Sequence, residues 1–177
     1  MPAASPRTGR APTTLEVLVS ARARSPLAVA EAERLARAVL RAEGVRHAVL
    51  SIAIVGRGRI RTLNRRHLGK DRETDVIAFA LTARTDAPTH RGTNARGHGG
   101  TGARRHGPVV VGDVYVCAPV AAGQASALGV QPVDELRRLV VHGVLHVLGY
   151  DHPDRQRTAS AMWRRQERLL VRFGRRR

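Results

Sequence analysis

The chain has few residues of several types, and each shortage excludes a class of protein. Cys117 is the single cysteine among 177 residues, so it can form neither an intrachain disulfide nor a cysteine metal cluster. Aromatic residues make up 3% of the chain, and no run approaches the ~20 apolar residues that a membrane span needs. The first residues contain no apolar core of a signal peptide. We therefore expect a cytoplasmic protein without a membrane partner.

Acidic residues and lysine are also scarce. The sequence has 14 Asp and Glu against 31 Lys and Arg, which gives a formal net charge of +17. Lys70 is the one lysine, so the other basic side chains are arginines. A field of this sign attracts polyanions, and nucleic acid is the commonest large polyanion in a cell. Because the planar guanidinium binds phosphate through paired hydrogen bonds, the composition favours a nucleic-acid partner.

Hydrophobic patterning predicts strands alternating with helices in one domain over residues 13–173. The predicted strands cover residues 15–19, 48–55, 74–79 and 109–116, and the last is expected to break at Gly112 and Asp113. The predicted helices cover 25–43 with Ser25 as N-cap, 59–68, 120–128, a helix from Pro132 through the histidines described next, and 155–173. Residues 1–12 are expected to be a disordered leader, 83–107 a flexible insertion, and 174–177 a basic tail.

The most informative stretch is residues 142–152, which read HGVLHVLGYDH. His142 and His146 are four residues apart and share one face of a helix, so both imidazoles can bind one metal ion. Gly149 can adopt the left-handed conformation that ends a helix, and the returning chain can bring in His152 as a third ligand. Three protein ligands leave one position of a tetrahedral zinc ion open, which is the arrangement of a catalytic site.

The same spacing occurs in the metzincin metalloproteases, so a protease is one alternative. In those enzymes a glutamate follows the first histidine and acts as the general base. The corresponding residue here is Gly143, which cannot accept a proton. The pattern therefore predicts the metal site without the base that peptide hydrolysis needs.

Three blocks of sequence carry a resemblance to a known family. The first is the histidine stretch, the second joins Leu63 and Asn64 to residues 69–79 (GKDRETDVIAF), and the third is residues 112–116 (GDVYV). In this order, over roughly residues 13–155, they resemble the YbeY family of bacterial endoribonucleases, also called rRNA maturation factors.

The resemblance implies an α+β fold, with a small mixed β-sheet packed by helices and a three-histidine metal site at the end of a buried helix. It implies one zinc ion per chain, held by His142, His146 and His152. The implied activity is metal-dependent, single-strand-selective RNA cleavage in 16S rRNA 3′-end maturation and ribosome quality control. The implied partners are rRNA within the small ribosomal subunit and ribosome assembly factors.

The family often has an arginine two residues before the Lys70 position, and this chain has Leu68 there. We expect Arg65, Arg66 or Lys70 to bind the scissile phosphate instead. Arg155 is a further candidate. Without such a cation, the alternative is a non-catalytic, zinc-stabilised ribosome assembly factor whose activity is its basic surface.

Four other polar residues each have two interpretations. Asp151 is either a general base or, as we prefer, a hydrogen-bond partner that fixes the tautomer of a ligand histidine. Asp75 and Asp113 are polar supports near the site or caps of turns. Asn64 is a hydrogen bonder at a helix end or an RNA contact.

Overall fold

A computed structural model of the chain describes residues 13–81, 109–153 and 157–174. The predicted leader and insertion, Arg155 and residues 175–177 lie outside the described residues. The strands in the described part are β1 (Thr14–Ala21), β2 (His47–Val55), β3 (Val76–Ala80) and β4 (Val110–Cys117). The α-helices there are α1 (Val29–Ala42), α2 (Arg57–Leu68), α3 (Ala118–Leu128), α4 (Pro132–Val147) and α5 (Ala161–Leu169).

The four strands form one mixed sheet in the order β1-β2-β4-β3. β1 pairs parallel to β2, and β2 pairs parallel to β4. β3 runs antiparallel to β4 at the edge of the sheet, with Val76 opposite Val116. The structure therefore confirms the predicted α+β class and the mixed sheet.

The two faces of the sheet carry helices of different kinds. Because side chains alternate along a strand, Val114 and Val116 of β4 join the larger core, which also contains the buried residues of α1, α4 and α5. Cys117 and Tyr115, two residues apart on the opposite face of β4, pack in the smaller cluster, to which α2 contributes Ile60 and Leu63. Helices α2 and α4 therefore lie on opposite faces of the sheet, and Cys117 is buried between the sheet and α2.

Helix α4 packs so closely on β4 that a residue without a side chain, Gly112, lies beneath it. A Cβ added at Gly112 would lie 2.8 Å from the carbonyl oxygen of Phe79 and would overlap the side chain of Val147. The break predicted in β4 at this glycine is wrong, since the strand is continuous from Val110 to Cys117. Gly112 serves the close approach of α4.

Two predicted helix boundaries are also wrong, and a serine explains each. The Ser25 hydroxyl accepts the N–H of Leu27 at 3.1 Å, so it stabilises a turn and α1 begins only at Val29. The Ser160 hydroxyl accepts the N–H of Trp163 at 3.1 Å and caps α5, so residues 155–173 are not one helix. Among the described residues, no helix has both the length and the apolar character needed to cross a membrane.

Candidate metal centre

The last turns of α4 place two of the predicted ligands. The helix begins at Pro132, as predicted, and carries His142 and His146 one turn apart near its end. Gly149 then adopts φ +86°, and the N–H of Tyr150 donates to the carbonyl oxygen of Leu145 at 3.0 Å. This is the left-handed helix end that the sequence predicts, and it reverses the chain towards His152.

The three imidazoles meet through the same ring nitrogen. His142 Nε2 lies 3.1 Å from His146 Nε2 and 3.4 Å from His152 Nε2. One nitrogen from each ring lies within 4.8 Å of the others, which is close enough for all three to hold one metal ion. His142 is buried, whereas His146 and His152 are half-buried. The structure therefore brings together the three histidines that the spacing selects.

The opposite ring nitrogens determine which tautomer each histidine adopts. His142 Nδ1 donates to Gln166 Oε1 at 2.9 Å, His146 Nδ1 to the Tyr150 carbonyl oxygen at 3.0 Å, and His152 Nδ1 to the Pro153 carbonyl oxygen at 3.3 Å. These oxygens only accept hydrogen bonds, so each Nδ1 carries the proton and each Nε2 presents a lone pair. Three converging lone pairs form a donor set that fits a metal ion with one open position.

Burial favours the form of His142 that can bind a metal. Loss of hydration lowers the pKa of His142 from its usual 6.5 to about 4, and His146, His152 and Arg138 add to the decrease. The hydrogen bond to Gln166 acts in the opposite direction and is the weaker influence. The ring is therefore neutral at physiological pH.

Gln166 is the functional residue that sequence reasoning missed. Its side chain is 0% exposed on the core-facing side of α5, and its Nε2 donates to Glu167 Oε1 at 3.2 Å, which turns Oε1 towards His142. A signal was available in the sequence. Met162, Gln166 and Leu169 follow the helical spacing of an apolar face, and a glutamine in such a series indicates a buried polar partner.

The position of Gly143 bears on the protease alternative. A Cβ added there would overlap the side chain of Val114 and approach Val76 Cγ2 to 3.3 Å. A glutamate at this position would therefore point into the sheet and away from the histidines. The backbone of α4 is as close to β3 and β4 here as a hydrogen side chain allows.

Asp151 does not bind an imidazole nitrogen in the arrangement described. It is exposed, and its Oδ1 accepts the backbone N–H of His152 at 2.8 Å, which stabilises the turn that carries the third histidine. The preferred interpretation of Asp151 as the fixer of a tautomer is therefore wrong. Gln166 and two backbone carbonyls perform that role. A role for Asp151 as general base stays a prediction.

The basic candidates lie on the other face of the sheet from the histidines. Arg65 and Arg66 are exposed in the last turn of α2, and Lys70 is exposed just after its left-handed cap. Both α2 and α4 contact the edge strand β3, so the two groups are separated by the sheet edge. Leu68, at the family's arginine position, is 51% exposed. A contact of these cations with phosphate stays a prediction.

Arg138, one helical turn before His142, is a cation that helps to lower the pKa of this histidine. Its guanidinium forms an ion pair with Glu135, with Nε 2.7 Å from Oε2. Glu135 is 2% exposed, so this carboxylate is held inside the protein with its charge offset. The ion pair stiffens α4 directly before the histidines.

Two of the three remaining polar candidates, Asn64 and Asp75, form hydrogen bonds that fix neighbouring loops. Asn64 is buried, and its Nδ2 donates to the Arg72 carbonyl oxygen at 2.8 Å, which favours the helix-end interpretation. Asp75 accepts the N–H of Val76 at 2.9 Å and the amide of Gln124 at 3.1 Å, so it ties the start of β3 to α3. Burial raises the pKa of Asp75, but its hydrogen bonds outweigh burial and leave that pKa below the usual value. Asp113 is half-buried within β4.

Comparisons with known proteins identify relatives of this chain. The family model described as Endoribonuclease YbeY matches residues 20–174. A protein named Endoribonuclease YbeY from Geobacillus kaustophilus is 38% identical over 127 residues, which are 72% of this chain and 74% of that protein. A protein of the same name from Salinispora tropica is 39% identical over 126 residues, 70% of this chain and 73% of that protein.

A solved structure shares the fold. The solution structure of a Thermotoga maritima protein matches with a TM-score of 0.53 over 87% of this chain and 86% of that chain, at 20% sequence identity. Together with the family match, which spans most of the residues, these comparisons show that the chain belongs to the endoribonuclease YbeY family.

Proposed function

We propose that the protein is a zinc-dependent endoribonuclease that cuts single-stranded RNA during rRNA processing. The observation that carries the proposal is the convergence of three Nε2 lone pairs in a chain of this family with a net charge of +17. We assign the substrate to rRNA of the small ribosomal subunit, with maturation of the 16S 3′ end and ribosome quality control as the cytoplasmic roles.

His142, His146 and His152 would hold one zinc ion per chain. A zinc ion in such a site acts as a Lewis acid that polarises a phosphoryl oxygen and acidifies water. The chain itself keeps the three Nε2 atoms unprotonated through the acceptors at Nδ1. Since His142 is buried and the other two are half-buried, the cluster faces solvent on the side of His146 and His152.

We assign the remaining chemistry to exposed side chains beside the third histidine and across the sheet edge. Arg65, Arg66 and Lys70 would bind phosphates of a strand that passes the edge of the sheet, replacing the cation absent at Leu68. Asp151 would accept a proton from the attacking water. Its hydrogen bond to the His152 N–H keeps the carboxylate beside the third ligand.

Cleavage of single-stranded and double-stranded RNA by the purified protein tests the proposal. His142→Ala/His146→Ala should abolish cleavage, whereas His67→Ala is the matched control. It removes an imidazole that packs on Phe79, with ring centroids 5.1 Å apart, on the α2 face of the sheet. Cleavage that persists in the double variant would show a contaminating nuclease and refute the proposal. Metal analysis should give about one zinc per chain, lost in His152→Ala.

The exposed Leu68 supports a second candidate, a zinc-stabilised ribosome assembly factor without catalysis. This candidate predicts zinc binding and association with small ribosomal subunits but no cleavage by the wild type. Four single variants discriminate between the two candidate functions. Under the endoribonuclease proposal, Leu68→Arg raises the cleavage rate, and at least one of Arg65→Gln, Arg66→Gln and Lys70→Gln lowers it.

A further inference from the structure

A second feature of the described residues is a cavity of about 390 Å³ lined by three arginines. Its lining residues are Arg37, Arg41 and Arg46, together with Thr13, Leu15, Gly44 and Val45. No carboxylate lines it among the described residues. Glu33 offsets the charge of Arg37, so Arg41, which is exposed, supplies the charge that attracts an anion to this opening.

The local fold explains how the three arginines meet. Arg37 and Arg41 are four residues apart on α1 and share one face. Gly44 then adopts φ +75° and turns the chain, so that Arg46 returns beside the helix end. The N–H of Thr14 donates to the Arg46 carbonyl oxygen at 2.8 Å, which brings the start of β1 to the same place. The sequence therefore builds the pocket from α1, a turn and a strand start.

Two hydrogen bonds hold Arg37 in position. Arg37 Nε donates to Glu33 Oε1 at 2.9 Å, and its Nη1 donates to the Leu15 carbonyl oxygen. Arg41 is exposed in the last turn of α1, where a cation also suits the helix dipole. The dipole favours a cation at the helix end, but it does not explain why Arg37 and Arg46 border the same opening.

Glu43, the residue before Gly44, connects the chain beside the pocket to the histidine stretch. Tyr150, between the second and third histidines, donates its hydroxyl to Glu43 Oε2 at 2.7 Å. Arg165 Nε donates to Glu43 Oε1 at 2.6 Å, so the negative charge of Glu43 is offset where an anionic strand would pass. Glu43 therefore links the turn of the histidine stretch to the end of α1 that carries Arg41.

We propose that this arginine pocket is a phosphate subsite that binds the backbone of the RNA away from the bond that is cut. The inference rests on the proposed function, because it takes RNA as the substrate of the adjacent metal centre. The pocket recognises the phosphate group and not the base, since guanidinium groups are the charged groups that line it. Its contribution is affinity and placement of the strand.

Arg41→Gln is the test variant, and Arg34→Gln is its matched control. Both remove one charge from an exposed position of α1, but Arg34 lies seven residues and therefore ~10.5 Å away along the helix. Because that distance is about one Debye length at 0.1 M salt, the charge of Arg34 is largely screened from the pocket. If only the overall positive charge of the protein attracted RNA, the two substitutions would weaken binding equally. Thermal unfolding of both variants checks that α1 is intact.

Binding of a short fluorescent single-stranded RNA, measured by anisotropy over a range of salt, is the readout. Loss of one phosphate contact should lower the slope of log K against log salt by about 0.7 and weaken binding about fivefold at 0.1 M salt. Arg41→Gln should show this loss and Arg34→Gln should not. Equal losses in the two variants, or none in Arg41→Gln, would overturn the subsite.

Two further arms separate the alternatives. Inorganic phosphate is added as competitor: if it occupies the wild-type pocket while RNA binding is unchanged, the pocket serves a small phosphorylated ligand and the RNA subsite is refuted. Binding is also measured in His142→Ala/His146→Ala, which should not cleave but should keep the Arg41 effect. A wild type that does not cut RNA but shows this effect contradicts the proposed function alone. A wild type that cuts RNA without the effect contradicts the subsite alone.

Discussion

Replacing Gln166 with leucine should weaken zinc binding by roughly 10- to 100-fold, the range typical for loss of a partner behind a metal ligand. The substitution removes the acceptor that His142 Nδ1 contacts at 2.9 Å and keeps a side chain of similar size. Gln166 is 0% exposed and His142 is 5% exposed, so water cannot readily replace the lost oxygen.

The structure indicates how large the loss is and which state bears it. A buried donor without an acceptor costs about 1–3 kcal/mol, which corresponds to a factor of about 5 to 150 in an equilibrium constant. Without metal, His142 can move its proton to Nε2 and donate to His146 Nε2, 3.1 Å away. In the metal-bound state the proton cannot move to Nε2, because Nε2 is then a metal ligand. The penalty for an unpaired Nδ1–H therefore falls on the metal-bound state, and the cost of an unpaired Nδ1 acceptor in the metal-free state offsets part of it.

Competition with a chromogenic chelator measures the zinc affinity, and two variants serve as controls. Gln124→Leu removes a half-buried glutamine that binds Asp75 and should leave the zinc affinity unchanged. Gln166→Glu keeps an oxygen acceptor for His142 Nδ1 and should restore most of the affinity. Long-range ¹H–¹⁵N NMR should show the proton of His142 on Nδ1 in the wild type and on Nε2 in the leucine variant. A leucine variant with wild-type affinity and tautomer would refute the reasoning.

Three other changes test the packing and the electrostatics. Gly143→Ala should destabilise the protein by about 1–3 kcal/mol in urea unfolding, because the added Cβ would overlap Val114. Gly123→Ala in α3 is the control and should not destabilise the protein, because a Cβ there meets nothing within 4 Å. Removing zinc should lower the unfolding temperature, since zinc at 100 times its Kd adds about 2.7 kcal/mol to stability; the His142→Ala/His146→Ala protein should not respond. Because its folded pKa is depressed, Asp75 stabilises the protein above its unfolded pKa of ~3.9 and loses that contribution as pH falls through the folded pKa. Asp75→Asn should therefore flatten urea stability against pH in this acidic window, and an unchanged profile would contradict the assignment.

Local rules predict those parts of the site that adjacent residues build. The spacing of His142 and His146, followed by Gly149, gives the helix face, the helix end and the return of the chain to His152. Each step depends on backbone geometry within eleven residues, so no knowledge of the tertiary fold was needed. The mixed sheet followed from the resemblance to a family.

Contacts between distant segments could not be read from the sequence. Gln166 reaches His142 across 24 residues because α5 packs on α4, and no local pattern gives that alignment. The same limit applies to Arg65 and Arg66, whose placement depends on which face of the sheet α2 covers. The position of Asp151 next to His152 in the sequence predicts a contact with an imidazole, but the carboxylate accepts the backbone N–H of His152 instead.

The hydrogen bond between Gln166 and His142 also has a consequence for the order of events during synthesis. Translation produces His142, His146 and His152 before it produces α5, so a growing chain that ends at the third histidine has every ligand but lacks the group that orients the first. Arg165, which secures Glu43 and through it Tyr150, arrives equally late. Domains generally begin to fold from their N-terminal part as they emerge. Under the proposed function, we therefore expect high-affinity zinc uptake only after α5 has docked, and a chain that lacks α5 should retain the ion less well than the finished protein.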